Sequence, residues 1–142
     1  MRSKWINKSP KTLAVVFEEG DELMAGLNHV AVELKLAGSY FSGIGMCREV
    51  TTGLFDKEIK DFQRCIFREP LEVLSLIGNI ALGEDGPVVH SHIVVGRADG
   101  TAHGGHLVYG VVSPAMEVII TELPEHLHRK FHPDLGLSFI TL

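Results

Sequence analysis

The stretch Val88–Val112 reads VVHSHIVVGRADGTAHGGHLVYGVV, and the rest of the chain is best understood from it outward. It holds four of the eight histidines, a tight-turn signal and a Gly-Gly pair. Val88–Val95 is rich in β-branched residues, which predicts a strand. Side chains alternate along a strand, so His90 and His92 share one face while Val89, Ser91 and Ile93 share the other. Ala98-Asp99-Gly100 predicts a hairpin loop, because the glycine tolerates positive φ. The chain then returns through Leu107-Val108-Tyr109.

The loop length sets the register. With a three-residue loop over 98–100, Arg97 faces Thr101 and His92 faces His106, with His90 diagonal to His106. Directly opposed Cβ atoms lie ~5 Å apart and diagonal ones ~7–8 Å. Three imidazoles in that span can converge on one metal ion. A two-residue loop would move His106 to the other face unless a bulge compensates, and Gly104-Gly105 is the place for one.

The 142 residues fit one domain, with residues 1–11 as an N-terminal tail and 12–142 as the folded unit. No apolar run approaches the ~20 residues of a membrane span. The start, MRSKWINKSPK, is basic without an apolar segment behind it, so it is not a secretory signal, and the cytoplasm is the expected location. Cys47 and Cys65, the only cysteines, read as buried thiols rather than a disulfide or a metal pair. The formal net charge of −5 opposes non-specific nucleic-acid binding, which depends on lysine and arginine neutralising phosphates.

In chain order, residues 12–18 read as an internal strand. Asp21 is the expected N-cap of a helix over about 22–36 whose buried stripe is Leu23, Leu27, Val30 and Leu34, with Gly38 as its stop. Residues 40–51 predict a strand in which Gly43 and Gly45 mark a bulge or a close backbone approach. Residues 58–67 read as strand in preference to helix. LEVLSLIGNIAL at 71–82 predicts a central strand, with Glu72 facing solvent. Further strands are expected at 116–122 and 137–142; the polar segment between them, with His126, His128 and His132, has no assigned structure. Strand, helix, then mostly strands gives an α+β domain with a curved, mainly antiparallel sheet and one principal helix. One helix covers one sheet face, so the other face predicts self-association.

From Leu71 onward the chain resembles the plant and prokaryote conserved domain family. The resemblance lies in LEVLSLIGNIAL at 71–82, HSHIVVGRADGTAHGGHLVYGVV at 90–112 and EVIITEL at 117–123, with SGIGMCREVTTGLFD at 42–56 and the strand–helix start at 12–36 upstream. It implies a homotrimer and a His-x-His plus Gly-Gly-His cluster, here His90, His92 and His106. It implies no role for His103. It also implies association with DNA or a regulatory protein. The Arg-Gly-Arg-Pro core with which the plant members grip the minor groove is absent here.

Three neutral imidazoles suit zinc or another divalent transition ion, and three protein ligands leave a coordination position open, as in catalytic zinc sites. Two readings follow: a metal-binding interaction module, or a zinc-dependent enzyme of unknown substrate. The enzyme would need an acid–base group nearby; Glu117, His103 and Glu72 are the candidates, the first two as supports of the metal ligands. A cupin site is set aside, because Ile93–Gly96 offers no glutamate after the second histidine.

Overall fold

The computed structural model describes all residues, Met1–Leu142. In order the elements are β1 (Arg2–Lys8), β2 (Lys11–Glu18), α1 (Leu23–Glu33), β3 (Gly38–Asp56), β4 (Asp61–Phe67), β5 (Leu71–Gly83), β6 (Gly86–Gly96), β7 (Ala102–Glu122), β8 (His128–His132) and β9 (Leu137–Thr141). They form one nine-stranded sheet, and every pairing is antiparallel except a single parallel bridge, Leu82 to His128. This is the expected α+β class.

Two strands decide the shape. β3 and β7 are 19 and 21 residues long and pair with each other along most of that length. β5 joins β3 on one side and β6 on the other, and β6 joins β7. The path β3–β5–β6–β7–β3 therefore closes on itself. Closure needs curvature, which the register shifts supply: between Gly43 and Gly45 against β5, and at three places against β7. Of the two readings offered for Gly43 and Gly45, the bulge is present, and so is the close approach, since a Cβ on Gly43 would sit 2.7 Å from the Glu117 carbonyl oxygen.

Alternation along β6 is as the sequence predicts. Val89, Ser91, Ile93 and Val95 are buried, and His90, His92 and Val94 face the other way. The buried face receives α1, through Leu23, Leu27 and Val30. Burying each such aliphatic side chain contributes about 1.5–3 kcal/mol, which fixes β6 against the helix and leaves the histidine face outward.

Several local expectations are corrected. Residues 2–8, read as tail, are strand β1, paired with β2 by alternating contacts such as Lys4 with Ala14. The helix N-cap is Glu22, whose carboxylate accepts from the N–H groups of Met24 and Ala25. Asp21 instead accepts from the Glu18 N–H and pairs with the terminal amine. The helix stops at Leu34, followed by Lys35 with φ of 54°, before Gly38 is reached. Cys47 is buried as expected, but Cys65, on β4, is exposed.

Candidate metal centre

The three-residue hairpin loop exists. The Arg97 N–H donates to the Thr101 carbonyl at 2.9 Å, and Gly100 carries φ of +81°. His92 pairs with His106, and His90 lies one alternation along the same face. Gly104-Gly105 is not a bulge: the β6–β7 register runs unbroken through both. Its purpose is close approach, because β7 is flanked here by β6 and β3 together. A Cβ on Gly104 would sit 2.9 Å from the Ile93 carbonyl oxygen, and one on Gly105 would sit 3.0 Å from that of Gly53. The absence of side chains lets His106 sit close to both neighbouring strands.

The rings converge. Centroids are 5.2 Å apart for His90–His92, 5.2 Å for His90–His106 and 5.6 Å for His92–His106. One ring nitrogen from each lies within 4.8 Å of those of the other two. Phe62, from β4, stacks on His106 at 4.7 Å with 20° between planes. His106 pairs with Gly53 across β3, and the bare Gly53 gives the Phe62 ring its room, since a Cβ there would meet Phe62 Cδ1 at 2.7 Å.

Burial favours the neutral imidazole. It pushes His90 down to about 4, helped by the positive Arg129 and by the other two rings. Burial, then His92, lowers His106 as well. Neutral rings keep a lone pair for a cation, so the donor set fits a divalent transition ion.

A pH dependence follows. Below 6.5 the unfolded chain protonates His90, while the folded chain holds it neutral to about 4. The unfolded state then binds more protons, so this contribution is complete above 6.5 and is lost as pH falls toward 4. Metal-free protein should show urea midpoints that drop across that window, by more than in His90→Gln. Equal slopes for the two proteins would contradict the buried neutral His90.

The other candidates lie elsewhere. His103 is on the opposite face of β7, beside Phe67 at 5.1 Å. Glu117 is exposed further along β7, paired with Val16 and Ile44, and lines a separate surface cleft with Glu72. Neither touches the histidines. His29 pairs with Glu33 on the outer helix face.

Beside the histidines opens a cleft of about 710 Å³. Its walls include Phe55 and Phe62 from the β3–β4 hairpin, Asn79 from β5, and Arg129 and Phe139 from the β8–β9 hairpin. Sequence reasoning missed Arg129 and its strand β8, although it expected the partner strand at 137–142 that is β9. The available signal was Pro133-Asp134-Leu135-Gly136 between two short strand-like runs, and Gly136 does take positive φ, +70°.

Comparison with known proteins agrees with the fold. A family model described as the Plants and Prokaryotes Conserved domain matches residues 6–124. A solved "putative dna binding protein" from Bacteroides thetaiotaomicron has a TM-score of 0.90 at 29% identity, covering 98% of this chain and 96% of that one. A plant- and prokaryote-conserved protein of Pyrococcus horikoshii gives 0.84 at 29%, covering 92% and 91%. A metal-containing protein of Archaeoglobus fulgidus gives 0.84 at 31%, covering 93% and 94%. Among curated sequences, the bifunctional protein GlmU of a Synechococcus strain is 30% identical over 125 residues, which is 87% of this chain and 18% of that protein. The chain therefore spans about a fifth of the curated relatives it matches.

Proposed function

Since the chain belongs to the Plants and Prokaryotes Conserved domain family, we propose that it is a metal-binding interaction domain. His90, His92 and His106 hold a divalent transition ion, zinc by default, and the chain works as a cytoplasmic homotrimer that engages DNA or a regulatory protein. The observation that carries the metal half is the meeting of three ring nitrogens within 4.8 Å. A similar protein is described as metal-containing. In this reading residues 12–142 act as one domain, with β1 as an added edge strand.

The sheet face opposite α1 supports self-association. Tyr40, Ile44, Ile77 and Ile119 are exposed by 41–60% on β3, β5 and β7. Ile119, Ser42, Ile77, His92 and His106 form one cross-strand row, so this apolar face runs directly into the histidines. Exposed apolar patches of this kind mark interaction surfaces. No helix is long and apolar enough to cross a membrane.

The net charge of −5 makes a protein partner the stronger choice over unaided DNA binding. Elemental analysis of the purified chain should find about one ion per chain, sedimentation should find a trimer, and a DNA titration at rising salt decides the partner. Binding that weakens steeply with salt supports DNA; none retires it. A metal-dependent enzyme is the second reading, favoured by the cleft beside the histidines. An ion there would supply Lewis acidity. The cleft walls contain no aspartate or glutamate to serve as acid or base, which ranks the enzyme behind the interaction domain.

A further inference from the structure

Arg129 is a cation without an anion. Its Nη1 donates to the Ser138 carbonyl at 3.0 Å and its Nη2 donates to the Asn79 side-chain oxygen. Both acceptors are uncharged. Its Nε is buried and has no partner at all. A buried, unpaired N–H on a charged group is costly, and such a group calls for an explanation, a missing ligand among them. Asn79 is the cross-strand partner of His90, so the guanidinium is anchored beside the histidine cluster and lines the same cleft.

Arg129 stands between two clefts, and Glu84 and Asp85 line the smaller one on its other side without pairing with it. No carboxylate lines the cleft beside the histidines, and Arg129 takes part in none of the ion pairs of the fold. A divalent ion on three neutral imidazoles would add further uncompensated positive charge. The remaining walls are mostly apolar, with three phenylalanine rings. A volume of about 710 Å³ lies within the usual range for small-molecule sites. One guanidinium matches one carboxylate in charge and fork geometry; a phosphate dianion would call for more donors than this wall offers.

We propose that the cleft binds a small organic monocarboxylate, its carboxylate on Arg129 beside the three imidazoles and its apolar substituent against Phe55, Phe62 and Phe139. This deepens the reading of the histidine cluster as a ligand centre, and the two parts can fail separately.

The test uses zinc-loaded full-length protein titrated with benzoate, acetate, benzyl alcohol and inorganic phosphate. Calorimetry gives affinities, and the Arg129 Nε–H signal in nitrogen-15 NMR reports a change at the guanidinium. Benzoate should move that signal and bind about tenfold more tightly than benzyl alcohol or acetate. Arg129→Met should lose that advantage with its metal content unchanged. An unmoved Nε–H signal, or phosphate binding as tightly as benzoate, overturns the proposal. If Arg129→Met does not fold, the wild-type NMR titration decides alone. Repeating the titration after chelation separates the two readings. Benzoate contact without any metal retained in the purified protein upholds the carboxylate cleft and retires the metal; metal without benzoate contact does the reverse.

Discussion

Purified His92→Ala protein is expected to carry no stoichiometric metal where the wild-type chain carries about one ion. His92 faces His106 directly and belongs to the only cluster of three or more potential ligands in the fold. Removing it leaves two imidazoles. Losing even an outer-shell partner costs ~10–100-fold in metal affinity, so losing a direct ligand should exceed that. The fold itself should survive, because His92 is exposed and surface substitutions usually stay within about 0.5 kcal/mol. The two effects separate in thermal melts with and without added zinc. At a free ion concentration ~100 times the dissociation constant, binding adds about 2.7 kcal/mol to the wild type, and His92→Ala should gain almost none. His103→Ala is the control: it sits on the other face of β7, against Phe67, and should keep its metal. Undiminished metal in His92→Ala would place the ion elsewhere, and an empty wild type would remove the metal reading.

That the hairpin could be read from the sequence has a physical cause. Its register depends on local things: a loop of Ala98-Asp99-Gly100, the alternation of side chains along any strand, and the β-branched residues that make Val88–Val95 a strand. Each is fixed by near neighbours, and the pairing of His92 with His106 followed. The helix stripe was legible for the same reason as far as Val30; beyond it Ala31 is buried and Leu34 is the half-buried C-cap. The helix ends were not, because Glu22 competes with Asp21 for the cap: Glu22 also accepts from the Gly110 N–H on β7, a partner 88 residues away. Non-local pairing likewise hid β1, whose polar run, Arg2–Lys8, becomes a strand only because β2 offers its free edge. Glu117 and His103 were named by residue type alone. Face and distance along β7 decide their place, and the position of Arg129 depends on a hairpin docking on β5. Sequence carries such tertiary placement only weakly.

Gly78→Ala is expected to cost roughly 3 kcal/mol, toward the upper end of what added bulk in a packed interior costs. Gly78 lies in the middle of β5, between Phe41 of β3 and Ser91 of β6. A Cβ there would fall 2.3 Å from Phe41 Cζ and 2.4 Å from the His90 carbonyl oxygen. The ring cannot yield easily, since Phe41 is 2% exposed. The carbonyl can yield only if β6 moves, and β6 is held by α1 against its buried face. The entropy recovered by replacing a strand glycine, about 0.5–1 kcal/mol, offsets little of this. The site should suffer with the fold: the obstructed carbonyl belongs to His90, so displacing it disturbs the spacing of His90 from His106 and lowers zinc affinity. Gly100→Ala makes the contrast. Its Cβ meets nothing within 4 Å, and only the positive φ resists it, at about 1–2 kcal/mol. Located at the hairpin tip, it should leave zinc binding alone. Urea denaturation and zinc titration of both variants check this. If Gly78→Ala keeps wild-type stability and zinc affinity, β6 is free to shift, and the histidine geometry does not depend on the close packing of β5 under it.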